Sequence, residues 1–95
     1  MSFKARADAL GNIELELKSE MAAALGRIGG TLAKLIAQLN EIRASEVIGE
    51  EMRAQYHKLH QQARLYYWYL IVQRESIGIR NHDSLIQDYR IPDRL

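Results

Sequence analysis

Residues 23–44 read AALGRIGGTLAKLIAQLNEIRA, and two different stripes run through this stretch. Large apolar side chains recur every three or four residues, and small or short side chains recur at the same spacing between them. The large stripe comprises Met21, Leu25, Ile28, Leu32, Leu35, Leu39 and Ile42, and the small stripe comprises Ala23, Gly26, Gly30, Ala33, Ala37, Asn40 and Ala44. At about 100° per residue the two stripes lie roughly 160° apart on a helix. The stretch therefore predicts one long helix with two faces to cover.

The first helix extends outward from this stretch and is predicted over residues 8–44. Asp8 is a suitable N-cap residue, and the apolar spacing begins with Leu10 and Ile13. Three glycines oppose a helix at 26–30, since each costs about 1 kcal/mol relative to alanine in a helix interior. The periodicity nevertheless continues through them. We therefore predict a helix here, with the glycine segment as the place where it would kink.

A turn over residues 45–49 is predicted to separate this helix from a second one over residues 50–77. Ser45 can cap the second helix, and Gly49 interrupts the pattern. The second helix has its own stripe, in steps of four and three, formed by Met52, Tyr56, Leu59, Ala63, Tyr66 and Leu70. One uninterrupted helix over residues 8–77 is the rival architecture, and only Ser45 and Gly49 argue against it.

The C-terminal part of the sequence predicts a helix stop, a short helix and a tail. Gly78 followed by the apolar Ile79 is typical of a left-handed helix C-terminus. Asn81 can cap a short helix over residues 82–89, and residues 90–95 form the tail. All 95 residues are thus predicted to form a single all-α domain, a long antiparallel helical hairpin with a short C-terminal helix.

Two such hairpins are predicted to form a homodimer with a four-helix bundle, because the run LYYWYLIV at 65–72 points in every direction around its helix. Short connections place antiparallel neighbours at positions whose numbers sum to about 93, so that Gly26 lies beside Tyr67. The small stripe would then admit the aromatic rings, and the large stripe would form the subunit core. The predicted interface residues are Leu25, Ile28, Leu32, Leu35, Leu39, Tyr66, Tyr67, Trp68 and Tyr69.

Composition excludes several classes of protein. Thirteen basic and twelve acidic residues give a net charge of +1, so no overall field attracts nucleic acid or anionic lipid. Cysteine is absent, which excludes disulfides and thiolate metal sites. The longest apolar run, at 65–72, is far shorter than the ~20 residues of a membrane span. Residues 1–10 lack the apolar core of a secretory signal, so we expect a cytoplasmic protein without membrane contact.

Three local patterns have a chemical interpretation. His57 and His60 lie three residues apart, a spacing at which two imidazoles can share a metal, but no Glu-x-x-His pair accompanies them. The segment GRIGGT at 26–31 superficially resembles a phosphate-binding loop but lacks its lysine. Basic residues near the aromatic ones can indicate single-stranded nucleic acid, and here they are Arg53, Lys58, Arg64 and Arg74. The aromatic residues are contiguous, which favours a core, and the basic residues form no tight patch, so a solvated face is the other interpretation.

We expect no enzyme, no metal and no cofactor. The predicted function is a small helical adaptor or regulator that acts through self-association, with one further protein partner left open. A nucleic-acid-associated regulator that uses the basic face of the second helix is the alternative, and a ligand- or metal-binding bundle is the third interpretation.

The C-terminal sequence has a more specific pattern, VQRESIGIRNHD at 72–83 followed by YRIP at 89–92. Together with ALGR at 24–27, it resembles an uncharacterised bacterial family of short all-helical proteins. The resemblance implies a helical fold and no known activity. Polar residues at the predicted helix stop form either a structural cap or a small anion or partner site, with Arg74, Arg80, His82 and Asp83 as its members.

Overall fold

The computed structural model describes residues 3–95, with side chains from residue 9 onward. Helix α1 spans Phe3–Arg43, α2 spans Glu50–Ser76 and α3 spans Asp83–Asp88. Helices α1 and α2 pack against each other as an antiparallel hairpin. Over these residues the chain contains no strand, which confirms the all-α prediction. None of the helices in this part of the chain combines the length and apolar character that a membrane crossing requires.

The limits of α1 and α2 differ from prediction mainly in their caps. The chain is already helical at Phe3, so the predicted cap Asp8 lies inside α1. The helix continues through its glycines without a break and ends at Arg43. The Ser45 hydroxyl does not cap α2, because it lies 3.5 Å from a carbonyl oxygen of α1. The residue at the N-cap of α2 is Gly49 instead. The connection also rules out a single helix over residues 8–77.

The C-terminus of α2 has the predicted left-handed glycine. Gly78 has a φ of 91°. Its N–H donates to the carbonyl of Glu75, and the N–H of Ile79 donates to the carbonyl of Arg74, each at 3.0 Å. This pair of bonds is the Schellman motif, which satisfies carbonyls at the helix end. The N-cap residue of α3 is His82 and not the predicted Asn81. The side-chain oxygen of Asn81 nevertheless accepts a bond from the N–H of Asp83, 2.9 Å away, at the start of the helix.

The large stripe of α1 forms the core of the hairpin itself. It packs against α2, α3 and the tail, and the buried side chains are Leu32, Leu35, Leu39, Ile42, Tyr56, Ala63, Leu70 and Leu85. Leu32 and Leu39 are 0% exposed. They are therefore covered within the single chain, and their place in an interface between two chains stays a prediction.

The small stripe of α1 faces solvent, contrary to prediction. Nothing lies within 4 Å of where a Cβ would stand on Gly26 or Gly30. Burying large apolar side chains removes more apolar area from water than burying small ones, so the single contact face of the hairpin goes to the large stripe. The aromatic rings consequently do not pack on the small stripe. Gly29 is the glycine with a close neighbour, because its Cβ position lies 2.5 Å from the Tyr89 hydroxyl.

Helix α1 is longer than its partner, with 41 residues against 27 in α2. The short connection places the C-terminus of α1 beside the N-terminus of α2. The additional residues of α1 therefore lie at its N-terminus. Gln73, in the last turn of α2, borders the same surface depression as Leu17 and Glu20 of α1, so α2 ends near the level of these residues. The molecule is accordingly elongated, with extents of 70 × 22 × 16 Å. We call residues 9–21 of α1 the projecting segment.

Candidate functional site

The projecting segment carries an exposed apolar stripe. Leu10, Ile13, Leu17 and Met21 are 64%, 52%, 49% and 37% exposed. Their steps of three and four place them on one helix face, in line with the large stripe that forms the core. One apolar stripe therefore runs along α1, and α2 covers only its C-terminal part. Leu15, which is 67% exposed, lies toward the opposite face of the same segment.

The rest of the projecting segment is acidic. Glu14, Glu16 and Glu20 are exposed there, and Lys18 is the one basic residue between Ala9 and Met21. An apolar stripe flanked by carboxylates is the pattern of an amphipathic helix that packs against a partner and remains hydrated at its edges.

A second uncovered surface lies between α2 and the C-terminal tail. It is an open groove of about 790 Å³ that we call the α2 groove, lined by His60, Gln61, Arg64, Leu65, Tyr67, Trp68, Ile71, Ile91, Pro92, Asp93 and Arg94. Trp68 and Leu65 are 58% and 46% exposed. Together with the neighbouring Tyr69 and Val72 they recur at i, i+3, i+4 and i+7, which places them on the face of α2 turned away from the core.

Hydrogen bonds to α1 and α2 hold the tail in place as one wall of this groove. The hydroxyl of the fully buried Tyr56 donates to the carbonyl of Asp93 at 2.5 Å. Arg43 Nη1 donates to the same carbonyl at 3.1 Å. His60 Nε2 lies 2.8 Å from the carbonyl of Pro92, and because a carbonyl only accepts, this nitrogen carries the proton. The groove wall is therefore fixed by the chain itself.

The two histidines that suggested a metal have different environments. His60 is buried, stacks on Tyr56 with ring centroids 5.9 Å apart and donates its Nε2 proton to the tail. His57, also on α2, is exposed to solvent. Among the side chains from residue 9 onward, no group of three or more His, Asp or Glu is placed to hold a metal ion. His60 thus has a structural role in fixing the tail.

The charges near the α2 groove are mainly basic. Between Met52 and Arg74 the helix has no acidic residue, and Arg53, Lys58 and Arg64 are exposed. The tail adds the exposed Arg94 to the groove lining, beside Asp93. The α2 groove is thus an apolar surface with a basic border, whereas the projecting segment is an apolar surface with an acidic border.

The predicted polar cluster at the helix stop is only partly assembled. Arg74 Nε donates to His82 Nδ1 at 3.3 Å, and Arg74 Nη2 donates to the carbonyl of Asn81 at 3.0 Å. Because Nδ1 accepts, His82 Nε2 carries the proton and lies 3.3 Å from a carboxylate oxygen of Glu75. Arg80 is exposed and takes no part in these bonds. Asp83 contributes its backbone N–H rather than its carboxylate.

These contacts tie the end of α2 to the segment that leads into α3. Each member that takes part already has a partner within the chain, which favours a structural cap over a site for an anion.

The predicted interface residues fall into three groups by burial. Leu32, Leu35 and Leu39 belong to the buried core, whereas Trp68 and Tyr69 are exposed. The others lie partly buried against the core: Leu25, Ile28, Tyr66 and Tyr67. The sequence reasoning missed the projecting stripe as a candidate surface. Its apolar spacing was visible in the sequence, but its exposure depends on where α2 ends.

Comparison of this chain with protein-family models, with curated proteins and with solved structures finds no match. No relative therefore supplies a function that could be carried over to these residues. The described part of the chain thus has two uncovered apolar surfaces, one with an acidic and one with a basic border.

Proposed function

We propose that this protein acts through self-association and protein–protein interaction, as an adaptor or regulator and not as an enzyme. The observation that carries the proposal is the apolar stripe of α1, which continues without cover along the projecting segment. Contiguous exposed apolar surface with a polar border is typical of interaction sites. The exposed Trp68 supports the same interpretation, since tryptophan is enriched among the residues that dominate binding energy at interfaces.

A homodimer is the assembly that we propose, with two hairpins contributing to a four-helix bundle. The exposed fractions of the projecting stripe add up to about two fully exposed residues, and burying one such side chain contributes about 1.5–3 kcal/mol. Two projecting stripes would thus contribute about 6–12 kcal/mol to a symmetric dimer. Association itself costs on the order of 4–15 kcal/mol. The projecting stripes alone are marginal for a dimer, so the exposed face of α2 has to contribute as well.

A cytoplasmic location belongs to the same proposal. Secreted domains of this size are commonly rich in disulfides, and this chain has no cysteine. The resemblance of residues 72–92 to a bacterial family of short helical proteins adds the proposal of a bacterial source. Neither point affects the surfaces on which the proposed association rests.

Sedimentation equilibrium over a range of protein concentrations tests the proposed self-association. We expect a species of twice the chain mass of 10.9 kDa at micromolar concentration, with dissociation on dilution. A mass that stays at that of one chain throughout would overturn the homodimer. A pull-down from the native cell then tests for the additional protein partner, with Leu17→Glu as the control bait.

A nucleic-acid-associated regulator is the second candidate. The observation in its favour is the basic surface of α2, where Arg53, Lys58 and Arg64 are exposed and Trp68 offers a stacking surface. Retention on single- and double-stranded nucleic acid columns at increasing salt distinguishes this function, because phosphate contacts weaken steeply as salt rises. For a ligand- or metal-binding bundle, elemental analysis of the purified protein provides the corresponding check.

A further inference from the structure

We infer that the projecting segment of one chain docks in the α2 groove of a second copy, and that two antiparallel chains make this contact reciprocally. The inference rests on the proposed self-association and names the two surfaces that meet. Each chain presents one copy of both surfaces, so a two-fold dimer would cover all of them.

Charge distinguishes this contact from a simple pairing of two projecting segments. The segment carries Glu14, Glu16 and Glu20 against Lys18 alone. Packing two such segments together would concentrate carboxylates in one interface, and like charges at an interface oppose association. The α2 groove has the opposite character, with Arg64 and Arg94 in its lining and Asp93 as its one acidic member. The acidic segment is therefore better matched to the groove than to its own copy.

The projecting stripe and the α2 groove also match in length. The projecting stripe from Leu10 to Met21 covers eleven helical steps, about 16 Å at 1.5 Å per residue. The α2 residues that line the groove run from His60 to Ile71, which is also eleven steps, so the two surfaces are equal in length. Helices that dock in apolar grooves present anchors at i, i+3, i+4 and i+7, and this stripe uses steps of three and four. Trp68 is the large exposed ring in the groove that such anchors would cover.

A chain cannot make this contact with itself. Helix α1 is continuous from Phe3 to Arg43, and its projecting segment begins level with the last turn of α2 and extends away from it. The segment and the groove are centred about 13 residues apart along α1, or roughly 20 Å at 1.5 Å per residue. A second copy in antiparallel orientation can place its segment at the groove of the first while its own groove receives the other segment. This closed two-fold arrangement is the commonest form of homodimer.

The absence of native cysteine allows a direct test by disulfide cross-linking. Leu17→Cys chains are mixed with Leu65→Cys chains under mild oxidation, and the products are separated by mass after denaturation. We expect the mixed disulfide dimer to dominate. Leu15→Cys is the matched control, because Leu15 lies on the other face of the same segment and is 67% exposed, against 49% for Leu17. Its mixture with Leu65→Cys should give little mixed product.

The affinity of the dimer gives an independent readout. Leu17→Glu and Trp68→Ala should each raise the dissociation constant by about tenfold or more, as expected for anchors of an interface. Leu15→Glu introduces the same charge in the same segment and should leave the constant nearly unchanged. All three residues are exposed in the single chain, so circular dichroism melts should show that the variants remain folded.

The outcomes separate this contact from self-association in general. A wild-type chain that is monomeric at every concentration overturns both proposals. A stable dimer in which Leu17→Cys chains cross-link mainly with one another would overturn the groove contact and leave self-association standing. The groove contact is also overturned, and self-association left standing, if Trp68→Ala and Arg64→Glu abolish retention on nucleic acid but leave the dimer intact. The groove would then bind nucleic acid.

Discussion

Substitution of alanine for Gly30 should stabilise the protein, whereas the same change at Gly29 should not. Both glycines lie in the interior of α1, where alanine is favoured by about 1 kcal/mol. A Cβ on Gly30 meets nothing within 4 Å, so the full gain should appear. In a domain of this size, 1 kcal/mol corresponds to a rise in Tm of about 4–8 °C. A Cβ on Gly29 would stand 2.5 Å from the Tyr89 hydroxyl, so Tyr89 has to move and the gain is offset.

Thermal melts followed by circular dichroism measure this difference, at one protein concentration at which all variants have the same oligomeric state. Gly26→Ala is the matched control, because its Cβ position is also open, and it should behave like Gly30→Ala. The reasoning is refuted if Gly30→Ala lowers the Tm, since the small stripe would then be covered in the assembled protein. It is also refuted if Gly29→Ala raises the Tm as much as Gly30→Ala does.

Two substitutions and one exchange measurement further test the hairpin and its proposed assembly. Tyr56→Phe should lower the free energy of unfolding by about 0.5–1.5 kcal/mol in urea titrations, because the carbonyl of Asp93 loses one of two donors; an unchanged midpoint would contradict the tail contact. Gly78→Ala should cost about 1–2 kcal/mol, since an L-residue is strained at a φ of 91°, and a neutral effect would argue against this helix stop. Amide exchange in residues 9–21 should slow as protein concentration rises through the dissociation constant, and exchange independent of concentration would contradict their burial in a dimer.

The helices could be predicted from the sequence because their signals are local. Apolar spacing of three and four residues marks both long helices, and Gly78 with its apolar successor marks the end of α2. The predicted start of α1 was wrong. Asp8 is a plausible N-cap residue in isolation, but the helix is already formed at Phe3. Ser45 failed as a cap for a similar reason, since its hydroxyl turns back to α1. A capping residue shows where a helix can start and does not require a start there.

The surfaces of the hairpin were harder to predict because they depend on contacts between distant residues. The bond from Tyr56 to the carbonyl of Asp93 joins residues 37 positions apart, and no local pattern indicates it. The tail that it holds completes the α2 groove and covers part of the core. Which stripe of α1 packs against α2 also depends on the apolar area that is buried when the hairpin forms. The exposure of Trp68 and Tyr69 is compatible with their predicted place in an interface, and that interface stays a prediction.

The unequal lengths of α1 and α2 support the proposed dimer. Nothing in the hairpin requires apolar residues on α1 beyond the end of α2, yet the stripe continues with unbroken spacing to Leu10. A solvated extension would be served as well by polar residues, and a helical segment of about 12–15 residues without packing is marginal in water. The spacing also excludes a random scatter of surface leucines, because Ile13, Leu17 and Met21 lie on the same face as the core. An uncovered stripe in register with the core is the surface that the proposed dimer would cover.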